Sequence, residues 1–222
     1  MRILLPVSPA EASDANLGPE LAGALSPWWG ALSSWIEVLT GQDLAKPGDR
    51  RPKQPQTFHL WRGNLDGTMW PLPFVLHGIP FPHVNPLNSL GLLGCLSAVA
   101  AGKGAPPERL HLSDARSLHN DGQWRRAVID TATAAEVGIT SWIDNNAEPD
   151  VKADLKKNSW TLGALWRLYQ DIGGAVPDNF HDVVVKPRND AAHRGMSLTR
   201  EQSEAAINAT AKLLDGTTPI DL

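Results

Sequence analysis

The chain has 222 residues, enough for one large domain or two small ones with a real buried core. Its hydrophobic and charged fractions, 42% and 20%, are those of an ordinary globular protein, and a net charge of −4 argues against a protein that coats nucleic acid through bulk electrostatics. A single cysteine, Cys95, excludes an intrachain disulfide and a cysteine-based zinc site, which points to a reducing cytoplasm.

Composition changes near residue 110. Before it lie 14 of the 18 prolines and 12 of the 19 glycines, and eight acidic residues balance eight basic ones. After it, four prolines remain and 16 acidic residues face 12 basic ones. Long helices tolerate few prolines and glycines, so the expected organisation is an α+β region over 1–110 followed by an all-α up-and-down helical bundle over 111–222. "AGKGAPPERL" (Ala101–Leu110) reads as the junction.

In chain order, "RILLPV" reads as a short strand, with an apolar run too short for a signal-peptide core. "PWWGALSSWIEVLTGQ" (Pro27–Gln42) places Trp28, Leu32, Trp35, Ile36 and Leu39 at helical spacing, with Gly41 as its stop. "TFHLWRGNLDGTMWPLPFVLHG" gives two apolar runs around "GNLDG", a hairpin signal, and Pro71 and Pro73 would put its second strand at an edge. "SLGLLGCLSAVAAG" (Ser89–Gly102) reads as a buried helix, too short to span a bilayer, and no membrane segment is expected.

"SDARSLHNDG" predicts a short helix ending at Gly122. From Gln123, the recurrence of Trp124, Val128, Thr131, Ala135, Ile139 and Trp142 predicts an amphipathic helix of about twenty residues, closed by "NNAEPD". "WTLGALWRLYQDIGG" predicts a helix carrying Trp160, Leu165, Trp166 and Tyr169, and "PRNDAAHRG" a shorter one. "TREQSEAAINATAKLLDG" opens with Thr199 and has Gln202 three residues on, a capping-box arrangement, and ends at Gly216.

Most candidate sites have a plainer explanation. His59, His77 and His83 lack a carboxylate at ligand spacing, and His111, His119 and His181 read as surface residues, so no metal is expected. The nine tryptophans are better explained by core packing than by a base-stacking platform, because interleaved basic residues are scarce. Cys95 reads as a buried, inert thiol, and "GLLG" and "GKGAPP" lack the context of a phosphate loop. Glu136 reads as a solvated helix residue at the margin of the apolar stripe.

"VVVKPRNDAAHRG" (Val183–Gly195) differs. An arginine followed at short range by a histidine is expected by chance about once in such a chain. The context adds weight. Pro187 fits the first position of a helix, whose early N–H groups attract anions. Asn189 and His193, four apart, share a face, and the planar fork of Arg188 can take a phosphate bidentately.

With "SLTREQSEAAINATAKLL" after it and "AVIDTATAAEVGI" before it, "KPRNDAAHRG" resembles the HEPN superfamily of all-α domains over about residues 112–216. The family motif, an arginine, a polar residue and a following histidine, corresponds to Arg188, Asn189 and His193. The resemblance implies a homodimer with two motifs facing one cleft. It also implies either a metal-independent endoribonuclease without a cofactor, regulated by an antitoxin or another protein, or a non-catalytic dimerising and binding module. In the first case His193 would be general base or acid, Arg188 would stabilise charge on the phosphoryl oxygens, and Asn189 would orient the imidazole or donate to phosphate. Lys186 and Arg194 would add positive charge for an RNA substrate.

Overall fold

A computed structural model describes residues 17–41, 61–63, 69–71, 87–157 and 161–220. Its elements are α1 (Leu17–Thr40), β1 (Trp61–Gly63), β2 (Met69–Pro71), α2 (Ser89–Ala100), α3 (Pro107–Asn120), α4 (Trp124–Asn146), α5 (Pro149–Lys157), α6 (Leu162–Asp171), a π-helical turn (His181–Val185), α7 (Lys186–Arg194) and α8 (Arg200–Thr217).

Among the described residues, the α+β character expected for residues 1–110 is not found. The extended structure among the described residues is one antiparallel ladder of three residues per strand, Trp61 opposite Pro71 and Gly63 opposite Met69. That is no sheet layer. What this half contributes is helix: α1 and α2 pack through Leu32, Trp35, Cys95 and Ala98. Proline content is a poor guide here because α1 carries Pro27 in its interior and runs ten residues further toward the N-terminus than its periodicity suggests. The strand expected in "RILLPV" lies outside the described residues, as do His59, His77 and His83.

α2 is buried on one face only. Cys95 and Ala98 are covered, whereas Leu90 and Leu93 are 77% and 58% exposed. The first helices are fastened to the rest by Trp35 Nε1–H, which donates to the Lys103 carbonyl at 2.9 Å, and by Ala105 and Ile220 against the same cluster. α3 starts at Pro107, inside the segment read as the junction, with proline at its first position.

The centre of the bundle is α4. Val128, Thr131, Ala132, Ala135, Ile139 and Ile143 recur at helical spacing and are buried. Its small residues let α8 approach closely: a Cβ built on Gly138 would stand 2.3 Å from Leu214 Cδ2. Trp142 meets Tyr169 of α6 edge to face, ring centroids 4.8 Å apart. α8 opens on the expected capping box, with Thr199 N–H donating to Gln202 Oε1 at 2.9 Å and Gln202 N–H to Thr199 Oγ1 at 3.3 Å. No helix among the described residues is long and apolar enough to cross a membrane.

A candidate site where α4, α6 and α7 meet

Pro187 does not begin a helix. The π-helical turn runs directly into α7, and Val185 and Lys186 both have helical dihedrals. Proline inside an α-helix lacks its N–H and its ring crowds the carbonyl four residues back. Here the backbone widens just before the proline: Lys186 N–H bonds to the His181 carbonyl, five residues back. Consequently Arg188 is not at an open N-terminus, and the free N–H groups expected to attract an anion there are absent. The positive character of this region comes from side chains.

The short helix ends where the sequence puts its stop. Gly195 is left-handed (φ +62°), and its N–H and that of Met196 both reach the Asp190 carbonyl. Arg125 Nε–H, from the start of α4, donates to the Ala191 carbonyl at 2.9 Å. These donors satisfy carbonyls of the last turn, the turn that carries His193.

Arg188, Asn189 and His193 come together. Arg188 Nη1 lies 3.2 Å from Asn189 Oδ1, to which it donates, and 3.4 Å from His193 Nε2. An arginine N–H only donates, so this contact is a hydrogen bond in the tautomer whose Nε2 carries the lone pair. The other terminal nitrogen, Nη2, is 3.7 Å from Glu136 Oε1 on α4. The Arg188 and Glu136 side chains are both half-buried, at 27% and 29% exposure, whereas Asn189 and His193 are exposed.

Arg188, Asn189 and His193 help wall a cleft of about 340 Å³. Arg188, Asn189, Asp190, His193 and Arg194 line it from α7, and Thr161 and Gly163 face them from the start of α6. Arg194 is held by Asp190 at 3.0 Å, one turn earlier. Lys186 is exposed and is not part of the wall.

Glu136, read from sequence as a solvated helix residue, is the site residue that spacing did not reveal. Burial pushes its carboxyl above the usual range, and Arg188 together with the Leu162 N–H pulls it back down. Leu162 is the first residue of α6, so a helix N-terminus faces the carboxylate. The signal in the sequence was weak: a carboxylate at the edge of the α4 stripe, about fifty residues from its partner.

Elsewhere, His119 Nδ1 lies 3.0 Å from the Oγ of the fully buried Ser203, a contact that its sequence context did not suggest. Cys95 is buried, and burial raises its thiol pKa. Among the described residues no three His, Cys, Asp or Glu side chains form a group that could hold a metal ion. Compared with known proteins, the chain matches no family model, no curated protein and no solved structure.

Proposed function

We propose that the chain is a HEPN-type, metal-independent endoribonuclease, acting as a toxin or antiviral component under the control of an antitoxin or another regulatory protein. The carrying observation is the convergence of Arg188 on Asn189 and His193 in a cleft open to solvent. A phosphodiester entering the cleft competes for the Nη1 donor of Arg188. Once that donor turns to a phosphoryl oxygen, the Nε2 lone pair of His193 is free to take the ribose 2′-OH proton. The 2′-oxygen then bonds to phosphorus and the bond to the 5′-oxygen breaks. A second acid delivers a proton to that leaving oxygen. With one histidine per cleft wall, His193 of a second copy supplies it, which is why the reading requires a homodimer.

The test is incubation of the purified protein with mixed RNA in EDTA, beside Arg188→Ala and His193→Ala. Wild type is expected to leave 2′,3′-cyclic phosphate ends and to spare DNA. Each variant loses roughly 10²- to 10⁴-fold in rate, the usual contribution of a positioned general acid or base. RNA equally intact with wild type and variants overturns the reading, and cleavage only with Mg²⁺ overturns its mechanism.

One observation favours a second reading, a non-catalytic dimerising module whose first half binds a partner. Both arginines of the cleft already have carboxylate partners, Arg188 in Glu136 and Arg194 in Asp190. A dimer in the ultracentrifuge that cuts no RNA supports it.

A further inference from the structure

Glu136 takes no part in the proposed chemistry, yet its carboxylate stands where three elements meet. It belongs to α4, accepts the Leu162 N–H at the start of α6, and pairs with Arg188 of α7. Thr161 and Gly163, on either side of Leu162, form the wall of the cleft opposite Arg188. Glu136 also borders a second cleft of about 600 Å³ along α4, so the Glu136–Arg188 pair stands between the two.

The guanidinium is rigid and planar, so holding one terminal nitrogen confines the other to a pivot about it. Nη2 faces Glu136, and Nη1 faces Asn189 and His193. Resting on the ribonuclease reading for its purpose, we propose that Glu136 is a positioning residue: it anchors Nη2 so that Nη1 is held between Asn189 and His193, where a phosphoryl oxygen can take it. A glutamine at this place would still accept the Leu162 N–H. It would lack the charge that anchors the guanidinium. The substitution therefore separates a packing role from an anchoring one.

The experiment compares full-length wild type, Glu136→Gln and Glu136→Asp by nitrogen-15 NMR of the arginine side chains, with Arg188→Lys to assign the signal. In wild type, hindered rotation is expected to keep the two Nη signals of Arg188 apart at low temperature. In Glu136→Gln they merge while the backbone amide spectrum stays that of wild type. Glu136→Asp keeps the charge but reaches one methylene less far, so it falls between and serves should the glutamine variant not fold. RNA cleavage is measured in parallel. Where wild type cuts, Glu136→Gln lowers kcat and kcat/KM together by about tenfold to a hundredfold with KM little changed, the signature of an interaction that matters in the transition state.

Arg188 signals that remain separate in Glu136→Gln overturn the proposal whatever happens to RNA. So does a wild-type kcat in that variant. Merged signals in a protein whose wild type cuts no RNA uphold the anchoring and remove the ribonuclease reading alone.

Discussion

Gly138→Ala tests how closely α4, the helix that carries Glu136, packs against α8. The added Cβ would lie 2.3 Å from Leu214 Cδ2, with Thr217 Oγ1 at 3.5 Å and Glu108 Cγ at 3.8 Å. Carbon atoms in contact rest about 3.5–4 Å apart, so something must move by more than about 1 Å. Leu214 has little freedom to do so: it is fully buried and packs with Leu112, Ala115, Ala134 and Ile207. Overpacking of this kind costs about 1–3 kcal/mol, and alanine in place of a helical glycine returns about 1 kcal/mol. The other two neighbours stand at ordinary contact distance, so the clash is with Leu214 alone; its close confinement favours the upper part of the range, and the net loss is about 1–2 kcal/mol, read by urea unfolding. Leu214→Ala alone costs about 2–5 kcal/mol through its cavity. Combined with Gly138→Ala it relieves the clash and gains a methyl in the space, so the double variant is more stable than the sum of the two by about 1–2 kcal/mol. A Gly138→Ala protein at least as stable as wild type, or an additive cycle, refutes the close approach of α4 and α8.

Two further outcomes follow from buried charge. Arg109 donates to Asp215 at 2.9 Å and to the Thr218 carbonyl at 2.8 Å, and the neighbouring Arg116 has its pKa lowered by burial and then by Arg109, with Asp215 opposing. Asp215→Asn leaves both guanidinium groups less compensated and costs about 1–2 kcal/mol in thermal unfolding, discounted because Asp215 faces solvent. Glu136 gives a pH signature. Its folded-state carboxyl is raised, so the unfolded chain loses its proton first, and wild-type stability falls as pH rises from the unfolded carboxylate range through the higher folded value. Glu136→Gln lacks this dependence. Relative to wild type it therefore gains stability as pH rises from about 4 to 7, whatever constant offset the lost pairing with Arg188 adds. A glutamine variant that is less stable at pH 7 than at pH 4, relative to wild type, contradicts the burial of an ionised carboxylate.

The prolines mark where the sequence misleads. Pro27 and Pro187 each look like a first helical residue, the position where a missing N–H costs nothing. Both lie inside helices. At Pro187 the lost bond is accommodated by a π-turn built from "HDVVV", a β-branched run that carries no helical signal of its own. Pro149 errs in the other direction: "NNAEPD" reads as a closing loop, yet the proline opens α5. Patterns that rest on local chemistry are legible, namely the α4 periodicity, the capping box at Thr199 and the glycine stops at Gly41 and Gly195. The convergence of Arg188 with Asn189 and His193 is local too, since all three share one short helix. Glu136 is not, because its approach depends on how α4 packs against α6 and α7.

The continuity of the π-turn with α7 changes what kind of anion site this cleft can be. At a free helix N-terminus, backbone N–H groups would wait unpaired and the anion would bind to donors already in place. Here the donor is a side chain that already has partners: Glu136 on one nitrogen, Asn189 and His193 on the other. An entering phosphate has to draw Nη1 away from His193 while Glu136 keeps Nη2. The movement that binds the anion is then the movement that uncovers the Nε2 lone pair, so under the proposed function phosphate capture and readiness for proton transfer are one event. A site made of backbone donors would separate the two. The anchor matters for the same reason, because an arginine free at both ends could bind phosphate while turned away from the histidine.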